Sequence, residues 1–131
     1  MKIFKTILEY NNWFKTNNHT ASLGLVPTMG ALHRGHISLI QNSTKICAKT
    51  VVSIFVNPAQ FNDKNDLHHY PDNLPEDIKV LKKLSVDILF VPNNNTMYPA
   101  PFATWVKETR ISRFLEGAFR PNHFVGVATV V

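Results

Sequence analysis

The sequence predicts an α/β domain, a Rossmann-like parallel sheet with flanking helices. Two observations carry the prediction. Short apolar or β-branched runs recur at "SLGLVP" (22–27), "TVVSIFV" (50–56) and "VDILFVP" (86–92), each ending at or just before a proline. Between them, apolar residues return at spacings of three and four, the mark of helices laid against a sheet. Strand and helix patterns alternating in this way imply parallel strands joined by right-handed crossovers.

Each element has its own reason. Thr6 and Glu9 form a Thr-x-x-Glu capping box. With Ile7, Leu8, Trp13 and Phe14 available for one face, residues 6–17 read as a helix that Asn17-Asn18 closes. The runs at 22–27 and 50–56 read as buried strands. Ile37, Ile40, Thr44 and Cys47 mark the helix between them. Pro75 suits a first helical turn, Ile78, Leu81 and Leu84 supply an apolar face, and 86–92 is the next buried strand. Beyond Pro92, "NNNTMYPAP" reads as a loop, "FATWVKE" alternates like an edge strand, and "ISRFLEGAFRPNHF" mixes signals. The sequence stops at "GVATVV", an apolar run that reads as an element cut through.

Composition bounds the function. A chain of 131 residues with 44% hydrophobic content is one domain by size and buries roughly two-thirds of its unfolded surface. Fourteen Lys and Arg against nine Asp and Glu give a formal charge of +5, which favours small anionic ligands such as phosphates or acidic metabolites. The basic residues are scattered, and the densest pair, Lys82-Lys83, falls in a helix, which argues against nucleic acid. Cys47 is alone, which excludes an intrachain disulfide and fits a reducing compartment. The amino terminus lacks a signal-peptide pattern, and no apolar run reaches the ~18 residues that span a membrane. A soluble, cytoplasmic protein is expected.

In an open parallel sheet, ligands bind at the carboxyl ends of the strands. Thr28 to His36 follows the first buried run and so lies where a ligand sits. Gly30 permits an unusual backbone angle at the turn, and Gly35 lets a flat base or phosphate approach the helix start. His33 and His36, three apart, share one helical face. Beside a helix amino end they donate hydrogen bonds to phosphate oxygens, and with ordinary pKa values near ~6.5 they can carry positive charge. Nucleotidyl transfer fits this pair. A metal site is the rival, but no third ligand stands at suitable spacing. An isolated pair is also as often a bystander. Neither a P-loop nor Gly-x-Gly-x-x-Gly occurs.

Asn57 and Gln60 follow the second strand on the same edge, where their amides can meet a hydroxyl and a carboxylate, although Asn-Pro is also ordinary turn chemistry. Asp77, near a helix start, reads as a complement to the helix dipole. His68, His69 and residues 93–95 read as solvated loop.

"PTMGALHRGH", "SIFVNPAQF" followed by "D...YP", "MYP" and "LEGAFRPNHFVGVATVV", in that order and spacing, resemble the pantoate-beta-alanine ligases, or pantothenate synthetases. The likeness runs from about Leu23 to the last residue. Histidine motifs of this type recur in other nucleotidylyltransferases, whereas their combination with "NPAQF" and "RPNHF" is highly specific. The resemblance implies a histidine-motif nucleotidylyltransferase fold that condenses pantoate with beta-alanine, using ATP and Mg2+ and releasing AMP and pyrophosphate. It implies that Met29, Gly30, Ala31, Leu32, His33, Arg34, Gly35 and His36 bind ATP, with His36 and His33 catalytic. Gln60 would bind pantoate and lie against beta-alanine, with Asn57 nearby. Tyr70, Arg120 and His123 would complete the substrate site, and Asp77 also matches a family position. No metal-ligating residue is implied, and a homodimer is.

Asn122 stands where the family usually has a small residue, and Asn65 where it often has an acid. The family is about twice as long, so residues 1–131 read as an incomplete amino-terminal nucleotide- and pantoate-binding domain without its carboxy-terminal domain, inactive alone. The alternatives are another histidine-motif nucleotidylyltransferase with a different acceptor, and a non-catalytic nucleotide- or nucleic-acid-binding module.

Overall fold

The computed structural model describes residues 1–17 and 21–131. Four parallel strands form one sheet: β1 (Lys2–Phe4), β2 (Leu23–Thr28), β3 (Lys49–Ile54) and β4 (Ile88–Phe90), in the order β1-β4-β3-β2. Val51 and Val52 of β3 pair with Leu25 and Val26 on one side and with Ile88 and Leu89 on the other. The register therefore sorts side chains by alternation. Val26, Val52, Ile54 and Leu89 point to one face, where α2 (Arg34–Ile46) and α4 (Leu74–Lys83) bring Ile40 and Leu81 to fill the core. Ser43, the one polar residue α2 buries, shares a 2.8 Å hydrogen bond with Thr50 of β3.

The other face is covered unevenly: Val51 and Ile88 are buried on it, whereas Leu25 is half exposed. At its β1 edge α1 (Ile7–Thr16) brings Tyr10 against Phe4 and Phe90, with Trp13 against Phe4. The capping box that starts α1 is present: Thr6 Oγ1 accepts from the Glu9 amide, and Glu9 accepts from the Thr6 amide. Asn17 caps the other end, and Asn18 lies outside the described residues.

Several elements depart from expectation. The three residues of β1 form an edge strand paired with β4, although so short a segment carries no periodicity of its own. The run at 22–27 is not a buried strand but the opposite edge, and Leu25 is 52% exposed. "FATWVKE" forms no strand. Phe102 and Trp105 instead clasp the ring of Tyr98, at centroid distances of 4.9 and 5.7 Å. Within "NNNTMYPAP", Asn93 caps a helical turn, α5 (Asn94–Met97), by accepting from the Thr96 amide. His68 ends a short helix, α3 (Lys64–His68), and His69 is its cap, though both imidazoles are exposed as expected. "ISRFLEGAFRPNHF" resolves into α6 (Glu116–Phe119) and the start of α7 (His123–Val130). The apolar "GVATVV" is the body of α7, which packs on a 3-10 turn at Pro58–Gln60. Gly126 permits that approach, because a Cβ there would lie 2.8 Å from the Ala59 backbone.

Candidate active site

The turn after β2 is left-handed twice over, with φ of 82° at Gly30 and 50° at Ala31. For a residue with a side chain such as Ala31 this is costly, so something must hold it. Two side chains do. Thr28 Oγ1 donates to the Ser53 carbonyl at 2.8 Å and accepts from the Gly30 amide at 3.1 Å. Asp77, in the first turn of α4 and only 4% exposed, accepts from the Ala31 and Leu32 amides, each at 2.8 Å. Asp77 does sit where a helix dipole favours a carboxylate, but its hydrogen bonds run across the chain to the turn.

The turn delivers His33 as the N-cap of α2. Its Nδ1 accepts from the Gly35 amide at 3.1 Å, and the His36 Nδ1 faces the His33 amide at 3.5 Å. With Nδ1 accepting in both rings, the neutral imidazoles carry their protons on Nε2. The rings lie 4.0 Å apart, so two N–H donors stand side by side at a helix amino end. Gly35 makes room for this cap as well, since a Cβ there would sit 3.0 Å from the His33 ring. Burial pushes the His36 pKa down, the neighbouring His33 pushes the same way, and Asp77 pulls it up. His36 is thus biased toward a neutral donor, where an ordinary imidazole pKa is expected from the sequence.

At the carboxyl ends of the strands a cavity of about 410 Å³ opens on the unevenly covered face. Pro27, Phe55, Met97 and Val127 give it an apolar wall, with His36 and Gln60 among its few polar groups. A second cavity of about 340 Å³ lies beside it, where Asp66, His69, Arg120 and His123 gather. Met29, Gln60 and Tyr70 border both. The structure therefore brings Met29, His36, Gln60, Tyr70, Arg120 and His123 together. Gly30, Ala31 and Leu32 shape the turn, and Arg34 and Gly35 open α2, where Arg34 is exposed.

Asn57, expected from the sequence in the substrate site, stands one layer behind the cavities. It is fully buried and lines neither cavity. Its Nδ2 donates to Gln60 Oε1 at 2.9 Å and to the Gly126 carbonyl at 3.0 Å, while its Oδ1 accepts from the Ala59 amide and from Tyr98 Oη. Every donor and acceptor direction is in use, so Asn57 orients Gln60. Pinning Oε1 turns the Gln60 amide nitrogen into the free donor. Sequence reasoning misses Tyr98 in this role, although it stands in "MYP". His123 Nδ1 lies 3.2 Å from the Gln60 carbonyl, and Glu116 holds Arg120 at 3.6 Å. Among the described residues no group of three His, Cys, Asp or Glu side chains is placed to hold a metal ion.

A family model described as pantoate-beta-alanine ligase matches residues 2–131. A pantoate-beta-alanine ligase of Saccharomyces cerevisiae is 48% identical, over 100% of this chain and 46% of its own length. A pantothenate synthetase of Thermosipho africanus is 52% identical over 84% of this chain and 40% of its own. Among solved structures, the Francisella tularensis pantoate-beta-alanine ligase complexed with beta-gamma ATP and beta-alanine superposes with a TM-score of 0.92 at 42% identity. That superposition covers 99% of this chain and 50% of that one. The pantothenate synthetase of Thermus thermophilus gives a TM-score of 0.88 at 41% identity, over 99% and 46%. The chain spans about half the length of the curated relatives it matches.

Proposed function

The chain belongs to the pantoate-beta-alanine ligase family, and from that premise we propose that the protein carrying it condenses pantoate with beta-alanine, using ATP. The observation that supports this most is the pair of Nε2–H donors at the amino end of α2, beside an apolar cavity with one free amide donor.

Pantoate's carboxylate is ionised at neutral pH, so it attacks the α-phosphorus of ATP without a general base. The new O–P bond forms as the bond to the β-phosphate oxygen breaks, and pyrophosphate leaves with the electron pair. An anion approaching a polyanion makes the step an electrostatic problem, to be met by positioning and by donors aimed at developing charge. His36 and His33 serve as those donors, and residues 29–36 hold the nucleotide. Gln60 directs its amide nitrogen at pantoate, whose quaternary carbon with two methyl groups suits the apolar wall. The neutral amine of beta-alanine then attacks the pantoyl adenylate, its C–N bond replaces the C–O bond to AMP, and the amine's proton passes to solvent. Arg120, His123 and Tyr70, around the second cavity, receive beta-alanine's carboxylate. Magnesium would be brought by the nucleotide and would offset charge on its phosphates, and none of these residues is given the task of holding it.

In this reading residues 1–131 are the amino-terminal nucleotide- and pantoate-binding domain of a homodimeric cytoplasmic enzyme. The dimer rests on the family resemblance, and the compartment on the lone Cys47, which fits a reducing environment. No helix among the described residues is long and apolar enough to cross a membrane.

AMP release by the purified protein tests the proposal, with each substrate omitted in turn. AMP should accumulate only when pantoate, beta-alanine and MgATP are all present. Equal AMP formation from a carboxylic acid lacking the branched carbon would count against pantoate as the acceptor.

A further inference from the structure

Asp77 is not among the residues to which the proposed reaction gives a task, yet the site converges on it. It comes from α4, 46 positions beyond Ala31, and is the most buried carboxylate among the described residues, at 4% exposure. Both oxygens are spent on the strained turn: Oδ2 on the Ala31 amide and Oδ1 on the Leu32 amide. Gly30 leaves no slack either, because a Cβ there would come within 3.1 Å of Oδ2. Among the described residues the turn has no other side-chain tether but Thr28, which reaches only the Gly30 amide.

We propose that Asp77 is the positioning residue of the histidine pair: it locks the left-handed turn that sets His33 as N-cap of α2. The catalytic side of this inference rests on the reading of the pair as phosphate-facing donors, but the locked turn stands without it. A φ of 50° at a non-glycine residue is costly, and the two amide hydrogen bonds to Asp77 offset that cost at this turn. A relaxed turn moves the His33 cap, and the neighbouring imidazole with it.

Asp77→Asn tests the proposal, because it keeps the shape and turns one acceptor into a donor that must face a backbone amide. Two readouts are expected to move together. At least one of the Ala31 and Leu32 amides loses hydrogen-exchange protection. Adenylate formation slows roughly 10- to 100-fold through kcat, with KM for pantoate little changed. Wild-type exchange protection at both amides in a folded Asp77→Asn protein would overturn the positioning role whatever the enzyme's substrate proves to be. The wild-type protein supplies a check that needs no variant: Ala31 and Leu32 amides exchanging as freely as an open loop would overturn the positioning role.

Discussion

The two faces of the sheet are built from the same apolar alphabet and end differently. On one, Val26, Val52 and Leu89 meet Ile40 and Leu81, and nothing is left open. On the other, Leu25, Val51 and Phe90 border a cavity of about 410 Å³. Alternation along a strand specifies which residues share a face, but only the crossovers decide whether a helix covers it. Here α2 and α4 pack directly on one face, whereas α1 packs on the β1 edge of the other and residues of α5 and α7 stand off from it to wall the cavity. That face becomes a candidate site because the polar groups at its strand ends are fixed from behind by the packed face: Asp77 comes from α4, and His36 from α2.

The difference is measurable. Leu81→Ala, on the packed face, should cost about 2–5 kcal/mol of stability, read from the denaturant midpoint at constant slope. Asn57→Ala, at the strand ends, should cost about 1–3 kcal/mol by leaving the Gly126 carbonyl and Tyr98 hydroxyl unpaired, and should weaken pantoate binding by freeing Gln60. Leu25→Ala, on the open face, should change stability by less than about 1 kcal/mol, because half of that side chain is already in water. A Leu25→Ala cost as large as that of Leu81→Ala would mean the face is not open.

The smallest effect is a pH dependence. The folded protein holds the His36 pKa below its ordinary value of 6.5, so the unfolded chain binds the proton first as pH falls. The sign follows: this contribution to stability is complete above 6.5 and is lost as pH falls from there toward the folded pKa. The midpoint should drop more between pH values of about 7.5 and 5.5 in the wild type than in His36→Gln, and equal slopes would remove burial as the cause.

Legibility in the sequence divides along similar lines. Local signals are readable: the Thr6–Glu9 capping box, the spacing of Ile40 and Leu81, and His33 with His36 behind a strand end. The core is readable because burial follows period. Long-range partnerships are not, since no local pattern links Asp77 to Ala31 or Tyr98 to Asn57 across 46 and 41 positions. That is why Asp77 reads as a dipole complement and Asn57 as a substrate ligand. "FATWVKE" misleads for another reason: its two aromatics, Phe102 and Trp105, pack on one tyrosine ring rather than on a sheet.

The central claim is that the paired imidazoles are the donors for adenylate formation, and pantoate-dependent exchange of labelled pyrophosphate into ATP tests it most directly. In the protein that carries this sequence, His36→Ala should slow exchange by roughly 10²- to 10³-fold, the usual effect of removing one donor aimed at developing charge, while its circular dichroism stays native. Exchange at close to the wild-type rate in a folded His36→Ala protein would contradict it.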